Sequence, residues 1–126
     1  MPPLVLGQYS YHVFAGVKHH KSQSEAAFHC QSLNGRLLTI DSLNENNHIK
    51  TMLDSRKVVD THFWTDYTVI RGEYMSSGPR PVRMYEMWGS GYKTGEDCVY
   101  YELGTSTWIH SPCDSKMSYI CKVSGK

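Results

Sequence analysis

No apolar run in this chain approaches the roughly 20 residues that a membrane-crossing helix requires. Near the start, Leu4-Val5-Leu6 is too short for a signal-peptide core and has no basic lead-in. Neither sign of charge is in excess: 13 Lys+Arg stand against 12 Asp+Glu, a formal +1. That balance excludes a dedicated nucleic-acid binder, whose domain would be markedly basic. A glycine-rich phosphate loop and an H-E-x-x-H signature are both missing, and no N-x-S/T triplet offers an N-glycosylation acceptor. Cysteine is sparse, and its four positions, 30, 98, 113 and 121, form none of the tight C-x₂₋₄-C pairs of a structural zinc site.

What is present is enough for one domain. The 126 residues are 40 % hydrophobic and 20 % charged, which supports a packed core and argues against disorder. We expect a single domain over 1–126, with its core at about 9–122. The even cysteine count suggests two disulfides, for which three pairings are possible. Disulfides imply an oxidising compartment. With Met1-Pro2-Pro3 reading as an expression start, the expectation is an excised extracellular segment that does not itself insert into a membrane.

Element signals follow one another along the chain. Tyr9–Phe14 alternates and is β-prone. Ser22 or Ser24 can cap a helix running to about Leu33, with Ala26, Ala27, Cys30 and Leu33 on one face. Asn34-Gly35 ends it, because a left-handed residue is cheap there. Arg36–Ile40 reads as a short strand. Ser42-x-x-Glu45 is a capping box, and Ile49, Met52 and Leu53 form the stripe of a second helix that ends near Arg56. Extended chain follows at Val58-Val59 and Thr61–Thr65, with Phe63 and Trp64 as core anchors.

From Thr68 to Asp97, glycines, Pro79 and Pro81 surround isolated aromatics. This reads as a long irregular loop with a short strand at Glu73–Met75, a length that in a compact domain is usually functional. Order returns at Cys98–Leu103, Thr107–Ile109 and Ser118–Val123. Helices early and short strands late point to an α+β fold.

Taken in order, these residues resemble a C-type lectin-like domain over about Tyr9–Lys122. The resemblance rests on Ser24-Glu-Ala-Ala-Phe-His-Cys30, Leu33-Asn-Gly-Arg-Leu-Leu-Thr-Ile40, Ser42-Leu-Asn-Glu45 and Phe63-Trp64-Thr65. It continues with Trp88, Glu96-Asp-Cys-Val99, Trp108 five residues before Cys113, and Tyr119-Ile-Cys121. It implies the short form of the domain: two helices flanking small antiparallel sheets, a long irregular loop, and the pairing Cys30–Cys121 and Cys98–Cys113.

In the family the sugar-binding calcium is held by a Glu-Pro-Asn or Gln-Pro-Asp triplet in the long loop, a later Glu, and an Asn-Asp pair after a Trp. Calcium needs six to eight oxygen ligands. Here 89–97 reads Gly-Ser-Gly-Tyr-Lys-Thr-Gly-Glu-Asp, and Trp108 is followed by Ile109-His110. Only Glu96, with its neighbour Asp97, matches, and Lys93 brings a positive charge. We therefore expect no metal at this site and no cofactor.

Catalysis is not expected either. His110, Ser111 and Asp114 are near neighbours in sequence, whereas triad partners converge from distant segments. His19-His20 is an adjacent pair whose rings diverge. The ordinary roles of Glu96 and Asp97 are to accept backbone N–H bonds or pair with an arginine, and His110 is expected at the surface or partly packed.

The long loop remains as a contact surface. Arg71, Arg80, Arg83 and Lys93 face Glu73 and Glu86, interleaved with Tyr74, Tyr85, Trp88 and Tyr92. Arg, Tyr and Trp are the types enriched in binding hot spots. Trp88 and Tyr74 are expected in the core. The candidate ligand contacts are Arg80, Arg83, Tyr92, Lys93, Glu96 and His110. The expected function is a non-catalytic extracellular recognition module that binds a protein or glycan without calcium. Two alternatives stay open: a calcium-dependent carbohydrate-binding lectin with a divergent site, and a structural or matrix protein on the same scaffold.

Overall fold

A computed structural model describes residues 4–40, 42–56, 58, 60–70, 73–75, 97–104 and 107–124. The chain opens with a hairpin of β1 (Leu4–Leu6) and β2 (Tyr9–Phe14). The turn between them begins at Gly7, whose φ of 60° is the left-handed value that glycine takes without steric cost. The sequence reading has no strand at Leu4–Leu6. Three residues give too little alternation to register, and their order comes from pairing with β2.

A 3₁₀ turn, Val17–His19, leads to α1 (Gln23–Ser32). Its N-cap is Ser22, one of the two expected. Ser22 Oγ accepts from Glu25 N at 3.3 Å, and the Glu25 carboxylate accepts from Ser22 N at 3.0 Å, a reciprocal capping box. Ala26 and Cys30 are the buried stripe; Ala27 and Leu33 are half-buried. Asn34 itself takes the left-handed backbone, at φ 63°. Gly35 serves a different end: a Cβ there would stand 2.7 Å from both Lys122 O and Val123 Cγ2, so only glycine lets this segment close on its neighbour.

Gly35 opens β3 (Gly35–Leu37), shorter than the Arg36–Ile40 strand expected. Leu38 continues the contact through Leu38 N to Ile120 O at 3.0 Å. The helix α2 (Leu43–Ser55) begins at Ser42, whose Oγ accepts from Glu45 N at 3.1 Å. It buries Ile49, Met52 and Leu53, as their spacing predicts.

The remaining strands are β4 (His62–Ile70), β5 (Glu73–Met75), β6 (Asp97–Glu102), β7 (Thr107–Ser111) and β8 (Ser118–Ser124). They form one sheet in the order β1-β2-β8-β4-β6-β7, with β3 also on β8 and β5 on β4. All pairings are antiparallel except β4 with β8. The strand β8 has β2 on one side and shares the other between β4, at Ser118-Tyr119, and β3, at Cys121–Val123. The strand β4 runs past Thr65 through a register shift between Trp64 and Thr68. Thr65 Oγ1 donates to Val99 O at 2.7 Å, and Gln23 Nε2 donates to Thr65 O and Tyr67 O. Side chains thus satisfy carbonyls that the bulge turns out of the ladder.

Two disulfides tie the elements: Cys30–Cys121 joins α1 to β8, and Cys98–Cys113 joins the start of β6 to the segment after β7. This is the pairing implied by the resemblance. The apolar core has two parts. One gathers Tyr11, Ile49, Leu53, Phe63, Tyr67 and Trp108 beneath α2; the other gathers Ala26, Leu37, Trp64, Tyr119 and the Cys30–Cys121 bridge beneath α1.

Candidate functional site

The base of the long loop is built by β4, β5, β6 and β7. On one side of residues 76–96, which lie outside the described residues, Met75 pairs with Thr68; on the other, Asp97 pairs with Val69. Both flanks are therefore held on β4, in two separate ladders. The Cys98–Cys113 bridge clips the return to the far end of the β6–β7 hairpin, where Cys98 also pairs with Ser111. Beneath this base Trp108 is fully buried, its ring 5.2 Å from that of Tyr67. Tyr67 Oη accepts from Ile40 N at 3.1 Å, which connects the loop base to the segment between β3 and α2.

Of the sequence-derived contacts, Arg80, Arg83, Tyr92, Lys93 and Glu96 lie outside the described residues, as does Trp88. Tyr74 pairs with Val69 on β5; the packing expected of its ring lies outside the described residues too. His110 corrects the expectation of a surface or partly packed histidine. It is buried on β7, opposite Val99, and alternation sets it on the same face as buried Trp108. A histidine between Ile109 and Ser111 gave no sign of this; the strand register decides it.

A second polar centre was not singled out from the sequence. Asp60, just before β4, accepts from Gly16 N at 2.8 Å, from His20 Nε2 at 2.9 Å, and from the Ser118 hydroxyl. The Ser118 bond, then the Gly16 N–H, then His20 hold its carboxyl at about 2, below the ordinary aspartate range. Asp60 thereby fastens the connection after β2 to the first residue of β8. A cleft of about 220 Å³ opens beside it, lined by His20, His62, Lys116 and Ser118 among others. The His19 and His20 rings diverge as expected: His20 reaches Asp60, while His19 sits edge-on to Phe14 at 5.8 Å.

A third feature is a buried ion pair. Lys122 Nζ lies 2.6 Å from Glu45 Oε2, and Tyr11 Oη donates to the same oxygen at 2.5 Å. The ammonium also donates to Thr39 O and Oγ1, and lies over the Tyr9 ring at 4.5 Å. This set joins β8, α2 and β2. A lysine near the end of a strand carries no sequence signal of burial.

Comparison with known proteins decides the family. Residues 19–123 match the Lectin C-type domain. The chain belongs to that family. Solved structures agree on the fold. Human lithostathine superposes with a TM-score of 0.83 at 21% identity, over 97% of this chain and 88% of that one. The mouse scavenger receptor C-type lectin carbohydrate-recognition domain gives 0.81 at 21%, over 98% and 94%. The Ca²⁺-independent C-type lectin SPL-2 from Saxidomus purpuratus gives 0.80 at 18%, over 96% and 90%. In this C-type lectin-like domain the Cys98–Cys113 bridge stands at the return of the long loop, the part for which ligand contacts were expected.

Proposed function

We propose that this C-type lectin-like domain is a non-catalytic, extracellular recognition module that binds a glycan or protein ligand through the long-loop face without calcium. The observation that carries this reading is the composition of the loop and its flank. No carboxylate–Pro–amide triplet stands between Trp88 and Cys98, where only Glu96, with its neighbour Asp97, matches and Lys93 brings a positive charge, and Ile109-His110 replaces an Asn-Asp pair after Trp108. One carboxylate cannot assemble a six- to eight-oxygen shell. Burial of His110 beside Trp108 is consistent with a flank that packs and does not ligate. The cations Arg80, Arg83 and Lys93, with Tyr92 among them, would meet an anionic or hydroxylated partner. That SPL-2 is a Ca²⁺-independent lectin of the same fold supports the reading. Two disulfides support an oxidising, extracellular setting. Among the described residues no helix is long and apolar enough to cross a membrane.

The test is binding to a glycan array in the presence of chelator, with a thermal melt run in calcium and in chelator. Expected are chelator-resistant binding, its loss in an Arg80→Ala/Arg83→Ala/Lys93→Ala variant, and an unchanged melting midpoint. A ligand that binds only the folded state must raise that midpoint by mass action. A calcium-dependent rise therefore overturns the reading in favour of a divergent calcium-dependent lectin.

A further inference from the structure

A second surface lies on the α1 side of the molecule, and none of the residues named here belongs to the long loop. It is a groove of about 840 Å³ between the exposed face of α1 and the strand-like segments at Lys21 and Lys116. Reciprocal backbone bonds between Lys21 and Met117, both 2.9 Å, set Lys21 and Lys116 on neighbouring segments of one wall. Lys21 uses its backbone oxygen to accept from Trp64 Nε1, and among the described residues its ammonium has no side-chain partner. Lys116 pairs with Glu25 at 2.8 Å, leaving two of its three N–H donors for another acceptor. Glu25 is the only carboxylate among the described lining residues, and it is already engaged by Lys116 and Ser22 N.

The opposite wall is α1. Ser24, Phe28 and Ser32 recur every fourth residue and so share one face. Phe28 is 75% exposed on it, a large aromatic ring that the core does not use. Tyr119, fully buried, closes the groove from below and holds His29 through a 2.5 Å bond between Tyr119 Oη and His29 Nδ1, with Phe14 stacked on Tyr119 at 5.1 Å. His29 is thus fixed with its second ring nitrogen still available.

The geometry points to a second binding site in this groove, for a sulfated oligosaccharide. Phe28 offers a flat apolar plate to the C–H face of a sugar ring. Lys21, Lys116 and the ring nitrogens of His19 and His29 flank it as donors for sulfate oxygens, and the two serines as hydroxyl partners. An acidic peptide would find the same cations, but Phe28, the one exposed apolar side chain among the described lining residues, suits a single sugar ring better than a row of peptide side chains. This inference does not depend on the reading of the long loop.

The experiment titrates a fully sulfated heparin-derived tetrasaccharide into the intact, disulfide-bonded chain, in chelator, at two salt concentrations. We expect saturable binding that weakens as salt rises, because bound cations are displaced from the polyanion. Lys21→Ala and Lys116→Ala should each weaken it roughly tenfold, the scale of one hydrogen bond to a charged group. Phe28→Ala should weaken it roughly two- to tenfold, in the range of an aromatic contact. Phe28 and Lys116 are exposed and Lys21 is half-buried, and unchanged melting midpoints will show that the variants fold. The Arg80→Ala/Arg83→Ala/Lys93→Ala variant should retain binding. Four results would overturn the assignment: no binding; equal binding of the desulfated tetrasaccharide; loss in the loop variant with retention in the groove variants; or binding of a poly-glutamate peptide in its place.

Discussion

At the scale of single residues, two polar centres, one buried and one half-buried, do what composition alone does not announce. Lys122 and Glu45 form an ion pair that is almost wholly enclosed, with Tyr11 and Thr39 supplying the remaining partners. Breaking such a pair from one side strands a charge, which costs about 3–5 kcal/mol, whereas replacing both ends with apolar groups is often neutral. Lys122→Met should therefore lower the free energy of urea unfolding by about that amount, and Glu45→Leu on top of it should recover part of the loss. Asp60 makes the second case. Its folded pKa is depressed to about 2, so the stability it contributes is present in full above the ordinary aspartate value of about 4. That contribution is lost as pH falls through the folded value. Asp60→Asn should destabilise by about 1–3 kcal/mol at pH 7, and the gap from the parent chain should narrow between about pH 4 and pH 2 in denaturant titrations. Neither centre was legible beforehand: charged side chains on strand ends and loops are ordinarily solvated, and only the meeting of distant segments encloses these.

At the scale of elements, local signals carried far. The serine caps, the apolar stripes of both helices and the strands at Tyr9–Phe14 and Ser118 onward stand where residue chemistry put them. Ser22→Ala should cost about 1 kcal/mol, read as a lower melting midpoint, since it removes one side of the capping box. What stayed hidden is what depends on a neighbour. The strand β1 exists through β2, β3 stops early where α1 and β8 meet, and β4 continues through a bulge that Gln23 satisfies from another element. Gly35 shows the difference clearly. Its place after Asn34 suggests a helix stop, yet the left-handed backbone falls to Asn34 and the glycine exists for clearance against β8. Gly35→Ala should therefore cost about 1–3 kcal/mol through overpacking, measured by urea unfolding, whereas Asn34→Gly should be tolerated.

At the scale of the whole molecule, the cysteines framed the fold while the ligand-facing region resisted. The two bridges close loops of 91 and 15 residues in sequence separation. In the chain-entropy account these contribute somewhat under ~5 and about 3 kcal/mol. Both matter against a total of about 5–15 kcal/mol. Replacing Cys30 and Cys121 by Ala should lower the unfolding free energy more than replacing Cys98 and Cys113, with parallel denaturant curves as the measurement. The candidate loop site was legible only as a list of residue types from Arg80 to Glu96, with His110 beyond it. Its chemistry depends on which side chains converge, and a stretch rich in glycine and proline has no periodicity from which to infer that. The α1 groove was harder still, since it is made by a helix face, a turn and a strand entrance that lie far apart along the chain.

The central place of β8 has one more consequence. This strand, the last in order among the described ones, is the one with which β2, β3 and β4 all pair, and it carries the partner of the Cys30 sulfur. A chain cut before Ser118 has no seam along which the two halves of the sheet can join. A stop codon placed just ahead of Ser118 would therefore yield a chain that never reaches this fold.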